Sequence, residues 1–488
     1  MKINKTRIKI IWTLLLFTLF YGQLFAHSGK PKYHVIIDTD GAIDDMRSIS
    51  MFLAGNDIRV LAITCSQGTL LPNTVYLKVN SLLSAFHHEG IPVGISKKIN
   101  FNLPVWSSFA QNIQWGNTVS QQNIDLSQNS IDVLNKTVEN YRNKITLIAL
   151  GSLKTYADWI KADPKIADKI ERIIWYNNHN IKEGFNYQVS PNSYEFIKQY
   201  GIRIDIVENN NSDLIINRDY LNQIQSSKSI YSEQIELVHT QISIVEKIKE
   251  KHLYLWDDIV PLYLTVPILF DMETKDNIIF ASINMKIPVN FIYEIIGKLL
   301  ISATNTNNRV FNTFPIDTAL YKTKYAKILN QTIEKFGLIE WKAISMTNEI
   351  HGHTGIYSII GAKMGVRAME YFNVGVNNLI ITTFAGNKPP LSCFNDGIQI
   401  STGATIGQGL ITISDSISNI PSAIFEFNNN KVNISLKPEI AEQMQKDIKY
   451  GIKNFGLLTD RYWLYIENLA IKYWSDFDRH NIFTIRKI

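Results

Sequence analysis

Four aspartates, Asp38, Asp40, Asp44 and Asp45, close the run VIIDTDGAIDD at residues 35–45. Carboxylates this close repel one another unless a proton or a cation neutralises them. A set of oxygen ligands suits a hard ion such as calcium or magnesium. One helix cap plus solvated loop acids would explain one or two of these aspartates, but not the group. The pattern therefore points to metal-assisted chemistry at the first strand of the fold.

The elements that must position these acids are legible around them. The apolar, β-branched run before Asp38 reads as a buried parallel strand, and open α/β sheets bind ligands where strands end. Asp38 and Asp40 are two apart on that strand, so they share a face. Asp44 and Asp45 fall at the start of a helix, where free N–H groups and the helix dipole favour acids. Further strand patterns at 59–64, 91–95, 145–150, 172–176 and 202–207 alternate with helical patterns at 46–54, 75–87, 131–142 and 193–200. Such alternation predicts an α/β fold with a doubly wound, mostly parallel sheet. Residues 216–270 read mostly helical and are punctuated by Pro261 and Pro267. Glycine becomes frequent between His351 and Gly409, and a boundary is expected near 337–345. The expected organisation is one domain over 33–337 and a second over 338–488.

The 488 residues suffice for two cores. Lys2, Lys5, Arg7 and Lys9 precede an apolar run from Ile10 to Phe20, and a short stretch then ends at Ala26. This is the layout of a secretory signal peptide over residues 1–26. The apolar run is short for a membrane span, so no lasting membrane anchor is expected. Export, to a bacterial periplasm, is the expected localisation. Losing the four leader cations takes the formal charge from +5 to +1, which gives no warrant for a nucleic-acid partner. Two cysteines, Cys65 and Cys393, make no disulfide framework.

Three metal-dependent classes begin this way. An EF-hand loop counted from Asp38 would need ligands at Ala42 and Ile49, and fails. A magnesium phosphohydrolase of the haloacid dehalogenase type also opens with a strand and Asp-x-Asp-Gly, but leaves Asp44–Asp45 unexplained. The third class fits more of the chain. VIIDTDGAIDD resembles the opening motif of the inosine-uridine-preferring nucleoside hydrolase family. RVLAITCSQG (59–68) resembles that family's second strand and glycine turn, and TLIALGSLKT (146–155) the strand whose end lends a carbonyl to calcium. NNHNIKEGFNYQVSPNS (177–193) resembles its ribose-binding loop, and LWDDIVPLYLTVP (255–267) its late helix with a calcium-binding aspartate.

The resemblance implies a calcium-dependent hydrolase that cleaves the N-glycosidic bond of a small-molecule nucleoside, as in purine and pyrimidine salvage. It implies that Asp40, Asp45, Asp257 and the Leu150 carbonyl hold Ca²⁺, and that Asp40 is the general base. It implies ribose contacts from Asp44, Asn178 and Asn186, with Asp38 supporting the cluster from behind. Gly184 stands where the family has a ribose-contacting glutamate, with Glu183 the adjacent acid. Thr69 replaces an asparagine. Trp256 stands where one subgroup has a proton-donating histidine; it can stack on a base or line the pocket. The rivals are the phosphohydrolase and a nucleoside- or sugar-binding protein without turnover.

In the second half, HGHTGIYSIIGAKMGVR (351–367) and PPLSCFNDGIQISTGATIGQGL (389–410) together resemble the E-subunit family of formylmethanofuran dehydrogenase. That resemblance implies a smaller α+β domain that can bind zinc. His351, His353 and Cys393 are then the candidate ligands, with Asp396 a nearby acid. A role in capping the first domain's cleft or in homo-oligomer formation is the alternative. GATIGQG (403–409) lacks the Lys and Ser/Thr of a phosphate-binding loop.

Overall fold

The computed structural model describes residues 31–117, 128–301 and 310–488. The expected signal peptide at 1–26 lies outside these residues. Among the described residues no helix is long and apolar enough to cross a membrane.

The first strand β1 (Tyr33–Thr39) is buried along its apolar run and pairs in parallel with β2 (Ile58–Cys65) and β4 (Ile145–Ala149). With β3 (Val93–Ile95), β5 (Ile170–Tyr176) and β6 (Ile204–Glu208), these strands form a parallel sheet flanked by helices. An antiparallel hairpin, β7 (Phe270–Lys275) and β8 (Ile278–Ile283), completes it, giving the order β3-β2-β1-β4-β5-β6-β8-β7. The order reverses between β1 and β4. Their C-terminal ends therefore flank a crevice, which is where doubly wound sheets bind ligands. The acidic motif sits at that switch point.

A second sheet has the order β10-β9-β11-β12-β13: β9 (Ile380–Thr383), β10 (Ile411–Ile413), β11 (Ser422–Phe427), β12 (Asn430–Leu436) and β13 (Phe483–Lys487). It is mixed, with β9 and β10 parallel and the rest antiparallel. Helices Ile356–Phe372 and Cys393–Thr402 cross closely against each other. A Cβ at Gly361 would meet the Phe394 carbonyl at 2.1 Å, and one at Gly397 the Ser358 carbonyl at 2.0 Å, so only glycine admits this approach. The interval 337–345 falls inside the helix Thr323–His351, which is broken at Gly337 (φ 84°, ψ 159°). The second hydrophobic core starts earlier, with Phe314 and Leu329.

The halves are joined by polar contacts. Arg367 donates to the His87 carbonyl at 3.0 Å and pairs with Glu89 at 3.1 Å. A ring nitrogen of His88 lies 2.7 Å from the Glu370 carbonyl. The rings of His87 and His480 stack at 3.6 Å.

Candidate functional site

The turn after β1 folds back on itself to hold the acids. Asp45, in the first turn of the helix Ile43–Ala54, accepts from the Thr39 hydroxyl at 2.6 Å. Its same oxygen accepts from the Asp40 and Gly41 N–H groups at 3.0 and 3.2 Å. Gly41 has φ +79°, a conformation that side chains resist. Asp38 is fully buried behind the turn, with Thr64 donating to one oxygen at 2.6 Å and Ser66 to the other at 2.7 Å.

Asp257 reaches the cluster from 212 residues further along the chain than Asp45. The Ser48 hydroxyl donates to its carbonyl. The neighbouring Asp258 takes both ends of the Arg47 guanidinium, at 2.7 Å each, in a fully buried pair. These contacts bring ligand atoms of Asp44, Asp45 and Asp257 within 4.8 Å of one another, all buried, the only such acidic, histidine or cysteine group among the described residues. Asp257 Oδ1 is buried with no hydrogen-bond partner.

Asp40, expected among the ligands, stands beside this trio. Its carboxylate is turned toward the second-strand turn. A Cβ on Gly68 would lie 2.0 Å from its Oδ2, and the N–H and hydroxyl of Thr69 favour its charged form. Thr69 thus serves Asp40 where an asparagine was expected to meet the sugar. Burial pushes the carboxyls of Asp38 and Asp40 up to about 7. Burial, then the charges of Asp40 and Asp44, raise Asp45 well above the carboxylate range. Burial with Asp44 and Asp45 does the same to Asp257. Each of these acids holds a proton or needs a cation.

The Leu150 carbonyl accepts from Asn186 Nδ2 at 2.7 Å, and Asn186 also donates to the Tyr176 carbonyl at 3.0 Å. A carbonyl oxygen keeps a second lone pair after one such bond. The donor set of carboxylates and a carbonyl fits a hard divalent cation. The rest of the sugar loop differs from expectation. Asn178 is exposed, while its neighbour Asn177 is buried. A Cβ at Gly184 would meet Asn177 Oδ1 at 1.9 Å, so the missing glutamate gives way to a close approach. Glu183 is exposed and accepts from Asn180. Trp256 is 42 % exposed and stacks on Tyr254 with centroids 5.4 Å apart. Tyr176, which sequence reasoning passed over, is half-buried at the end of β5; desolvation raises its phenol, and the charges of Asp257 and Asp44 add to that.

In the second half, His351 Nδ1 meets Asp396 at 2.7 Å, and the His351 and His353 rings are 4.3 Å apart. His351, His353 and Cys393 do not bring three ligand atoms within 4.8 Å of one another. Burial and Asp396 push the Cys393 thiol up, away from the thiolate that zinc takes. As a three-donor set, these residues do not fit the expected zinc.

A doubly wound sheet carrying a buried carboxylate cluster at its switch point defines a class of metal-assisted α/β enzymes. The profile of the inosine-uridine preferring nucleoside hydrolase family matches residues 35–309, more than half of the chain, and the protein belongs to that family. A second profile, FmdE of the molybdenum formylmethanofuran dehydrogenase operon, matches residues 350–454. A pyrimidine-specific ribonucleoside hydrolase RihA of Escherichia coli O1:K1 / APEC is 24 % identical over 180 residues, covering 35 % of this chain and 58 % of that protein. The RihA of Salmonella arizonae is 26 % identical over the same shares. The chain thus spans 58 % of the length of these curated relatives. Among solved structures, the plant nucleoside hydrolase PpNRh1 is 20 % identical with a TM-score of 0.46, over 56 % of this chain and 99 % of that one. The purine-preferring ribonucleoside hydrolase of Gardnerella vaginalis is 13 % identical with a TM-score of 0.45, over 56 % and 100 %.

Proposed function

We propose that the protein hydrolyses the N-glycosidic bond of a ribonucleoside with the help of a calcium ion, after export to the periplasm. The observation that carries this reading is the convergence of Asp44, Asp45 and Asp257 within 4.8 Å at the switch point, with Asp40 beside them. Asp45, Asp257 and the Leu150 carbonyl would hold the ion, joined by Asp44 or Asp40 as the carboxylates rearrange around it. When bound, such an ion lowers the pKa of a coordinated water and polarises sugar hydroxyls.

Asp40 is the general base. Its carboxylate stands beside the ligand trio, where it can take the proton of a water held there. Asp44 hydrogen-bonds the ribose, with Asn186 closing the sugar's other side and Asn178 swinging in from the surface. Loss of the base leaves positive charge on the sugar ring, and the surrounding carboxylates stabilise it. A single base acting on water predicts inversion and no covalent intermediate. Trp256, with Glu183 on the opposite loop, would frame the leaving base. The curated relatives' names make pyrimidine nucleosides the first to try.

The experiment is a panel of purine and pyrimidine ribonucleosides incubated with the mature protein, with reducing sugar as the readout. Ribose release that a chelator abolishes, calcium restores and Asp40→Ala removes supports the reading. Phosphate release from phosphomonoesters, or nucleoside binding without turnover, would replace it with one of the rivals.

A further inference from the structure

Gln67 stands in the turn after β2, between Ser66, which donates to Asp38, and Gly68, which lies against Asp40. Its buried carboxamide is engaged by a different segment, the loop that follows β3. Nε2 donates to the Phe101 carbonyl at 2.8 Å, and Oε1 accepts from the Ile99 N–H at 2.9 Å. The Phe101 N–H donates to the Ile99 carbonyl at 3.0 Å, which closes a tight turn around the Gln67 side chain. One planar group thus fastens two backbone groups of the loop, and removing it would leave both without that partner.

The loop then reaches across the sheet. The Phe101 ring meets Phe185 edge-on with centroids 5.9 Å apart, and the Trp106 ring meets Phe185 at 5.2 Å. Phe185 belongs to the segment after β5. Its neighbour Asn186 holds the Leu150 and Tyr176 carbonyls at the ends of β4 and β5. In the order β3-β2-β1-β4-β5, β3 and β5 are four strand spacings apart, roughly 19 Å. A contact between the segments that follow them has to pass over the ends of β2, β1 and β4, where the acidic cluster lies. The aromatic contact is therefore a bridge over the crevice, and Gln67 is the pier beneath one end of it.

We propose that Gln67 is a positioning residue for the reaction in the crevice: it holds the loop 97–106 against the sugar loop, so that the bridge closes over a bound ribonucleoside. The inference rests on the reading of the crevice as a ribonucleoside site. A loop released from Gln67 populates open arrangements, and apparent affinity falls with the fraction that stays closed. Asp40 is held by its contacts with Gly68 and Thr69, so the chemical step keeps its rate.

The test is steady-state kinetics on the full-length chain with calcium and a panel of ribonucleosides. Gln67→Met, Trp106→Ala and the double variant are compared with the parent, each checked by thermal melting. Methionine keeps the length of the side chain and removes both hydrogen bonds. The expected result is a KM raised about tenfold by each single variant, with kcat within about threefold of the parent and its pH profile unshifted. The double variant should lose no more than the worse single, because both open the same bridge. A KM that Gln67→Met leaves unmoved overturns the inference. So do a loss confined to kcat, a shifted pH profile, or losses that add in the double variant. A parent that cleaves no ribonucleoside overturns the reading of the crevice and this inference with it, whereas an active parent with an unmoved KM overturns the inference alone. Should Gln67→Met not fold, Gln67→Glu, which keeps the acceptor for Ile99 and loses the donor to Phe101, takes its place in the same comparison.

Discussion

Arg47 and Asp258 meet through two parallel 2.7 Å hydrogen bonds, both side chains fully buried, although 211 residues separate them in sequence. Arg47 lies one turn beyond Asp44 and Asp45, and Asp258 follows Asp257. The pair therefore clamps the two limbs of the acidic cluster together. Arg47 also donates to the Tyr254 carbonyl at 3.1 Å, which ties down the segment leading into Trp256.

Removing either partner leaves a buried charge with nothing opposite it. Arg47→Met and Asp258→Asn should each cost about 3–5 kcal/mol of folding stability. The double variant should recover part of that loss. Urea unfolding of the single and double variants measures the coupling. If the singles lose no more than a surface ion pair would, the clamp is not what joins the limbs.

Asp40→Asn separates chemistry from stability. It removes the proposed base, so kcat should fall by between about a hundredfold and ten-thousandfold. It also removes a carboxyl that burial penalises, so the chelated protein should melt no lower than the parent. Steady-state kinetics and thermal melts on the same preparation check both halves of this expectation.

Gly68 tests positioning without touching an acid. A methyl group there would fall 2.0 Å from Asp40 Oδ2 and must displace the carboxylate. Gly68→Ala should lower kcat by about a hundredfold, as misplacement of a reacting group by an ångström can do. Calcium affinity should change much less if Asp45 and Asp257 are the principal ligands. Equal losses of both would instead make Asp40 a principal ligand.

Much of this site was legible because carboxylates crowded after an apolar strand have few structural explanations. The alternation of strands and helices likewise carried the parallel sheet. Other parts had no such signal. An arginine and an aspartate 211 residues apart show no spacing, although each adjoins a motif residue. Asn177 and Asn178 are neighbours, and only the strand's end decides that the former is buried and the latter exposed. The hairpin at β7 and β8 was hidden because β7 is exposed along nearly its whole length, so no apolar alternation marks it. Its turn residue Asp276, with φ +55°, was the available clue. Histidines and a cysteine in suggestive motifs pointed to zinc, but motif order does not fix which side chains converge.

The buried acids give the metal-free protein a distinctive pH response. Asp38 and Asp40 are raised to about 7 from an ordinary 3.8, so between those values the folded chain keeps protons that the unfolded chain has released. Stability therefore falls as pH rises through this range, and the penalty is complete above about 7. His87 works the other way at lower pH: burial, with His480 adding to it, lowers it from 6.5 to about 4, so its contribution is lost as pH falls below 6.5. The clean comparison is thus pH 6.5 against pH 8, where the carboxyls dominate. In chelator, the melting temperature should be several degrees higher at the lower pH, and Asp38→Asn should shrink the difference. Calcium should raise the melting temperature most at pH 8, because protons no longer compete with it for the cluster. A chelated protein whose melting point is level across this interval, and equally level in the variant, would mean that the buried carboxyls carry no such protons.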